Sequence, residues 1–362
     1  MTTGGPTQER YSIAFILPSF AGGGAERVVM NLLALIEKRL FDPVLIVLNP
    51  HGPLSGEVPP GVRVVALNKQ RLRDALPELV GTLRTMRPNV AFSTFTHVNF
   101  PLLALQSLFP ATRLLVREAN LPSINLARMP WPWGFRKGYR WLYPNAYAVV
   151  ATSAIMAGEL EEFGVPSCKI SLLNNPVDDV ALRSKAEPVE RWPGAGLRFV
   201  AVGRLHPQKG FDRLLNYMAQ MPPDSHCTIL GEGAERPALE QMILSLGLKE
   251  RVVLPGYVSN PASMVAAADA LVMPSRFEGM PNAALEALAL GTPVIATSEA
   301  GGIGEVAGVT IAEAGTAFLD AMCRVVHKPT GLSPSLLPER FRPASVAKEL
   351  NALAFAAARS IG

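Results

Sequence analysis

The chain writes one alternation twice: short apolar runs of strand length separated by longer stretches with helical periodicity. Such alternation is the signature of a parallel sheet joined by crossover helices, and its restart predicts two sheets. The first half predicts strands at 12–17, 44–48, 62–66, 90–93, 113–117 and 147–150, with helices at 25–40, 72–86, 99–108 and 155–163. The second predicts strands at 198–202, 226–230, 252–254, 270–273 and 294–296, with helices at 211–220, 235–246, 261–267 and 282–290. Between them, 183–196 (RSKAEPVERWPGAG) is rich in Pro, Gly and charge and reads as a linker. A single core rarely grows past about 250–300 residues. The expected fold class is therefore α/β, with two Rossmann-like domains at 1–185 and 186–340. A last helical stretch, within 341–362, completes no strand pair and is expected to pack back on the first domain.

A hydrophobic content of 49% with 18% charge excludes a disordered chain. No apolar run reaches the roughly 18 residues of a membrane-crossing helix. The run Ile13–Leu17 is stopped by Pro18, and no cleavage site follows it. Cys168, Cys227 and Cys323 are far apart, without a CxxC, which fits a reducing compartment and suggests no metal site. The expected location is cytoplasmic. Charge is uneven: residues 1–185 hold 19 Lys+Arg against 13 Asp+Glu, and the remainder holds 15 against 17. Arg113, Arg117, Arg128, Arg136, Lys137 and Arg140 crowd into 113–140 with one acid, Glu118, which implies an anionic partner.

Two near-identical motifs, GGGAER at 22–27 and GEGAER at 231–236, each follow a strand and precede a helix. Glycines there let backbone approach a ligand, and a helix N-terminus offers N–H groups to an anion. Arg27 and Arg236 stand where a dinucleotide fingerprint needs its last glycine, which argues against a nicotinamide enzyme.

Arg204 and Lys209, in GRLHPQKG at 203–210, fall in a loop at the carboxyl end of a strand, where open α/β sheets bind ligands. Two cations there suit a diphosphate leaving group, whose negative charge grows as its bond breaks. EGMPNAALE at 278–286 supplies two carboxylates. Glu278 precedes a helix opened by Pro281, and Glu286 lies about two turns into it among Ala283, Ala284, Leu285, Ala287, Leu288 and Ala289. Carboxylates accept from sugar hydroxyls, and a nucleotide-sugar carries both the diphosphate and the hydroxyls.

These blocks, with NNPVD at 174–178, LPGYVSNP at 254–261 and PSRFEGMPNAALEALALGTPVIAT followed by AGGIGEV, resemble the retaining glycosyltransferases of family 4 over residues 12–306. The resemblance implies the GT-B fold, two Rossmann-like domains facing a cleft, with a C-terminal helix crossing back to the first. It implies metal-independent chemistry with a nucleotide-sugar as donor substrate and no cofactor. Arg204 and Lys209 would hold the diphosphate, Glu278 the donor sugar, Glu286 the ribose, and the backbone around Tyr257 and Val258 the base. Gly279, Met280, Pro281 and Asn282 would complete the donor site, with Gly22, Gly23 and Gly24 closing over the phosphates. Either His97, in STFTHVNF, or Glu118, in VREAN, would touch the reacting sugar or acceptor. Ile303 and Gly304 depart from the family's Pro-x pair before Glu305, which leaves the sugar open between hexose and N-acetylhexosamine.

The segment 126–144 interleaves Trp131, Trp133 and Trp141 with Arg136, Lys137 and Arg140. That pattern suits the inner face of a membrane or a lipid-linked acceptor; single-stranded nucleic acid would also fit it, but nothing else in the chain supports that partner. The expected acceptor is a glycan or a lipid-linked sugar in surface polysaccharide or glycolipid assembly. A nucleotide-sugar epimerase or hydrolase of similar fold is the alternative, marked by donor hydrolysis without acceptor. A silent scaffold is the third reading, opposed by the presence of both cations and both glutamates.

Overall fold

The computed structural model describes residues 10–127, 129, 131–187, 196–329 and 331–361. The first sheet holds β1 (Tyr11–Ser19), β2 (Phe41–Asn49), β3 (Arg63–Ala66), β4 (Val90–Thr94), β5 (Arg113–Arg117), β6 (Ala148–Ala151) and β7 (Ile170–Leu172). The second holds β8 (Arg198–Val202), β9 (His226–Leu230), β10 (Val252–Gly256), β11 (Ala270–Met273), β12 (Val294–Thr297) and β13 (Val309–Ala312). Their orders are β3-β2-β1-β4-β5-β6-β7 and β10-β9-β8-β11-β12-β13, parallel throughout. The expected α/β class with two Rossmann-like sheets is what forms. No helix among the described residues is long and apolar enough to cross a membrane.

The chain divides into two compact units, Met1–Pro176 with Pro343–Gly362, and Val177–Arg342. In the first, both sheet faces are buried, which is why the strands read as continuous apolar runs. Ala14 and Ile16 of β1 pack into one face; Ile13, Phe15 and Leu17 pack into the other. Phe15 pairs in register with Leu45 of β2 and Phe92 of β4, and stacks on Phe92 with ring centroids 5.1 Å apart. The helix Pro343–Arg359 closes that second face with Val346, Leu350, Ala354, Ala357 and Ala358, which recur at helical spacing. Asn351 fixes it, accepting from the Glu37 N–H (2.8 Å) and donating to the Leu35 carbonyl (2.9 Å).

Several elements depart from the expected pattern. β7 and β13 are short and only partly buried, so they lack an apolar run to announce them. The helices Pro122–Ala127, Pro132–Leu142 and Thr316–Cys323 lie outside the expected set. In Pro132–Leu142 the period is interrupted by Gly138, where a Cβ would stand 2.4 Å from the Phe100 ring. The helix expected at 25–40 ends at Ala34. The expected linker begins instead with the helix Asp179–Ser184, capped by Asp178 accepting from the Ala181 N–H at 2.9 Å. Arg183 ties that helix into the second unit through the carbonyls of Ala289 (2.8 Å) and Ser333 (2.9 Å). The unit boundary therefore falls at Pro176–Val177, before residue 185. Residues 188–195 of the linker and Arg128 lie outside the described residues.

Candidate active site

In each sheet the strand order reverses at one point, between β1 and β4 and between β8 and β11. Loops leaving neighbouring strands there run to opposite sides and open a crevice at the carboxyl ends. In the second unit these loops are 203–210, after β8, and 274–281, after β11. They carry Arg204, Lys209 and Glu278, and the fold brings Lys209 and Glu278 into contact. Lys209 Nζ donates to Glu278 Oε1 at 2.6 Å, with the side chains 21% and 8% exposed.

Glu278 is held from three further directions. Ser275 Oγ donates to Oε1 at 2.9 Å, Gln208 Nε2 donates to Oε2 at 3.4 Å, and the Glu278 N–H donates to the Glu299 carbonyl at 3.2 Å. Sequence reasoning missed Ser275 and Gln208, although Gln208 sits between the two cation positions and Ser275 stands three residues before the glutamate. The loops are bolted together behind the carboxylate. Arg276 makes a two-pronged pair with Asp212 (2.7 and 2.8 Å) and donates to the Pro207 carbonyl (2.7 Å). That fork holds the Asp212 carboxyl below its usual range.

Glycines set how closely these loops approach. A Cβ on Gly210, at φ 66°, would meet the Pro274 carbonyl at 2.1 Å; one on Gly301, at φ 68°, would meet the carbonyls of Glu278 and Gly279 at 2.3 and 2.4 Å. Gly203 leaves a lane for the Lys209 stem, whose Cε would lie 3.0 Å from a Cβ there. Gly231 and Gly233 correct the ligand-facing reading of GEGAER. A Cβ on them would strike the carbonyls of Gly203 (1.9 Å) and Leu205 (2.1 Å), so this motif admits the chain's own backbone. The Leu205 N–H donates to the Glu232 carbonyl (2.9 Å) and the Gly231 N–H to the Gly256 carbonyl (2.9 Å). The motif thus bridges the cation loop to the loop bearing Tyr257, which is exposed, and Val258, which is half-buried.

Arg204 is exposed and forms no ion pair among the described residues. Gly279 and Met280 are buried beside Glu278, and Asn282 opens the helix Asn282–Ala289. Pro281 is the N-cap rather than the first helical residue. Glu286 is half-buried on that helix, with its apolar neighbours turned into the core.

In the first unit, Gly22 (φ 81°), Gly23 and Gly24 follow β1 and open the helix Gly24–Ala34. His97 lies in the first turn of the helix Thr96–Ala104, after β4. Phe95 before it holds φ 73°, a strained geometry for a large side chain at the reversal point. The His97 ring is exposed yet packs on Phe95 with centroids 5.6 Å apart, and desolvation lowers its pKa.

Glu118 is a correction. Its side chain is fully buried and already accepts from Thr96 (2.7 Å), Asn99 (3.3 Å), Asn125 (3.1 Å) and the Tyr143 hydroxyl. No lone pair faces out for a sugar hydroxyl, so Glu118 organises the helix that bears His97. Burial pushes its pKa up to about 7, against the pull of those donors and of Arg117. Arg117, itself buried and lowered to about 10, donates to Asn175 of the NNPVD motif at 2.7 Å.

Comparison with known proteins agrees with this architecture. Residues 22–180 match the family model described as Glycosyltransferase Family 4, and residues 196–328 match that of Glycosyl transferases group 1. The N-acetylgalactosamine-N,N'-diacetylbacillosaminyl-diphospho-undecaprenol 4-alpha-N-acetylgalactosaminyltransferase of Campylobacter jejuni is 27% identical, over 82% of this chain and 83% of its own. Among solved structures, the Anabaena protein Alr3699/HepE in complex with UDP superposes with a TM-score of 0.69 at 18% identity, covering 97% of both chains. The lipopolysaccharide outer core galactosyltransferase WaaB gives 0.72 at 20% identity, covering 95% of this chain and 99% of its own. With both halves matched in order on two parallel sheets, the chain belongs to the family 4 glycosyltransferases and has the GT-B fold.

Proposed function

We propose that the chain moves a sugar, with retention of anomeric configuration and without a metal, from a UDP-sugar to a glycan or lipid-linked acceptor. The observation that carries this reading is the Lys209–Glu278 pair at the β8/β11 reversal, with exposed Arg204 on the same loop. As the bond to the diphosphate breaks, charge grows on the leaving oxygens. Lys209 has three N–H groups and gives one to Glu278, so two remain for phosphate. Arg204 adds a planar fork beside it. Together they offset the growing charge as a divalent cation would.

Glu278, held by Ser275 and Gln208, accepts from the sugar hydroxyls, and the helix beginning at Asn282 directs its first N–H groups at a phosphate. Gly279, Met280 and Pro281 line the turn between them. Glu286 takes the ribose, and the backbone at Tyr257 and Val258 takes the base. His97, whose pKa desolvation lowers, serves the reacting sugar or the acceptor hydroxyl. Gly22, Gly23 and Gly24 serve the phosphates. UDP is favoured over GDP because a solved relative of the same fold was captured with UDP. The Campylobacter relative acts on a diphospho-undecaprenol glycan, which supports a lipid-linked acceptor and a place on the inner face of a membrane.

A thermal-shift screen against UDP- and GDP-sugars tests the donor. Ligand at about 100 times its dissociation constant adds about 2.7 kcal/mol. Product analysis by NMR then reads the anomer. No shift with any nucleotide-sugar, or donor hydrolysis as fast without acceptor as with it, would sink the transferase reading.

A further inference from the structure

The helix Pro132–Leu142 turns an unusual surface to solvent. Trp133, Arg136, Lys137, Arg140 and Trp141 recur at i, i+3, i+4, i+7 and i+8, and so share one face. Trp131, immediately before the helix, stacks on Trp133 with centroids 6.2 Å and planes 20° apart. The three tryptophans are 67%, 65% and 71% exposed. Lys137 Nζ stands 5.4 Å from the Trp133 ring centroid, and the Arg136 guanidinium lies 4.8 Å over Phe163. None of the three cations forms an ion pair among the described residues.

The inner face is fixed. Tyr139 is fully buried, and Phe100 packs edge-on against Phe135, Tyr139 and Tyr143 at 5.2–5.4 Å. The helix is therefore a rigid mount, and its exposed indoles are not core residues awaiting a better rotamer. An indole carries roughly 150–250 Å² of mostly apolar surface, so three together exceed the isolated apolar exposure common on monomers.

We infer that this face docks on an anionic lipid bilayer, with the indoles at the headgroup boundary and Arg136, Lys137 and Arg140 on lipid phosphates. The charge is complementary, and the large amphipathic rings beside long cationic stems are what an interface selects. Single-stranded nucleic acid fits less well. Base stacking needs free ring faces, whereas Trp131 and Trp133 lie against each other and Lys137 sits over Trp133.

Sedimentation with vesicles of phosphatidylcholine, with and without phosphatidylglycerol, tests this. Wild type is expected to bind the mixed vesicles and to bind phosphatidylcholine alone weakly. Each cation contributes about fivefold in partition, so the triple variant Arg136→Gln/Lys137→Gln/Arg140→Gln should lose on the order of 100-fold at low salt. Salt should screen the wild type toward that level, leaving an aromatic remainder. Trp131→Ser/Trp133→Ser/Trp141→Ser should remove the remainder. Circular dichroism should be that of wild type, because all six side chains are exposed, and Tm should fall only by the small amount that the Arg136 contact with Phe163 contributes. Quenching of indole emission by brominated lipid gives a readout on the unmutated chain. The inference is overturned if wild type ignores mixed vesicles, if brominated lipid does not quench, or if the cation variant binds as wild type does. It is equally overturned if a short oligonucleotide binds this face in preference to vesicles. Sugar transfer is a separate matter: a chain with no transferase activity that still sediments keeps the surface, and a transferase indifferent to vesicles loses it.

Discussion

Replacing Lys209 by Met removes the ammonium while keeping the stem that runs along Gly203, so packing in that lane survives. Two costs follow. Glu278, 6% exposed, loses one of three side-chain donors and keeps Ser275 and Gln208. Stripping a buried charge of its partner costs about 3–5 kcal/mol, and hydrogen bonds to a charged group return about 1.5 kcal/mol or more each. Unfolding free energy should therefore fall by no more than about 2 kcal/mol. Catalysis should suffer more. A donor aimed at charge that grows in the transition state is worth about 100-fold or more in kcat, or about 2.7 kcal/mol. The assay is kcat and KM for donor consumption with acceptor present, beside a denaturant titration. A raised KM at wild-type kcat would show uniform binding of the donor and refute the leaving-group role. Glu278→Gln completes a cycle. If Lys209 acted only by holding Glu278, the double variant would be no slower than Glu278→Gln alone; a further drop of about tenfold or more is expected.

Arg204→Ala should also lower kcat by about 100-fold, but without a stability cost, since the side chain is exposed; a Tm shift with intact kcat would reverse that assignment. If Arg204 and Lys209 meet the leaving charge as proposed, turnover should persist in EDTA; loss restored by magnesium would show that the phosphate chemistry was misread. Gly301→Ala places a Cβ 2.3 Å from the Glu278 carbonyl at φ 68°, so it should displace that loop and abolish measurable transfer; wild-type kinetics would mean that the loop's position does not matter. Glu118 has its pKa lifted from 4.5 to about 7, so the folded state holds the proton more tightly than the unfolded chain. The stability this contributes is full below the unfolded pKa and is lost as pH rises through the folded one, about 3 kcal/mol in all at about 1.4 per unit. Denaturant midpoints for wild type and Glu118→Gln should therefore diverge across that window, and parallel curves would refute the shift.

The sheets were legible because both faces of each are buried, which leaves apolar runs such as YSIAFILPS and RFVAV with little else to be. β7 and β13 were not, because Ser171 and Thr310 interrupt runs that are already short; β3, an equally exposed edge strand, was legible because Val64, Val65 and Ala66 stand together. At the site, the types and places of Lys209 and Glu278 could be read, but their contact could not: it depends on the β8/β11 adjacency, a property of strand order rather than of either loop. The two glycine motifs show the limit most plainly. GGGAER and GEGAER read alike, yet Gly231 and Gly233 face the carbonyls of Gly203 and Leu205, while Gly22 and Gly23 face the side chains of Pro53 and Glu26. Glu118 misled for a related reason. A carboxylate at the end of a strand looks available until Thr96, Asn99, Asn125 and Tyr143, from three separate segments, close over it.

On the proposed reading, the Lys209–Glu278 contact joins two groups that serve different parts of one ligand, and the pairing has a physical reason. At 21% and 8% exposure, either charge alone would lack a partner in a site largely closed to water. Held together at 2.6 Å, both are in place before any donor arrives, so little reorganisation remains for the reacting complex. The lysine's geometry lets it serve both partners, because one N–H suffices for the carboxylate and two are left over. Arg204 complements this by being exposed and outside any ion pair among the described residues, able to follow the phosphates as they move. In the proposed transfer, a fixed cation and an adaptable one would divide the work on the leaving diphosphate. The fixed one is fixed because the loops behind it are locked by Arg276 on Asp212 and by glycines that no side chain can replace.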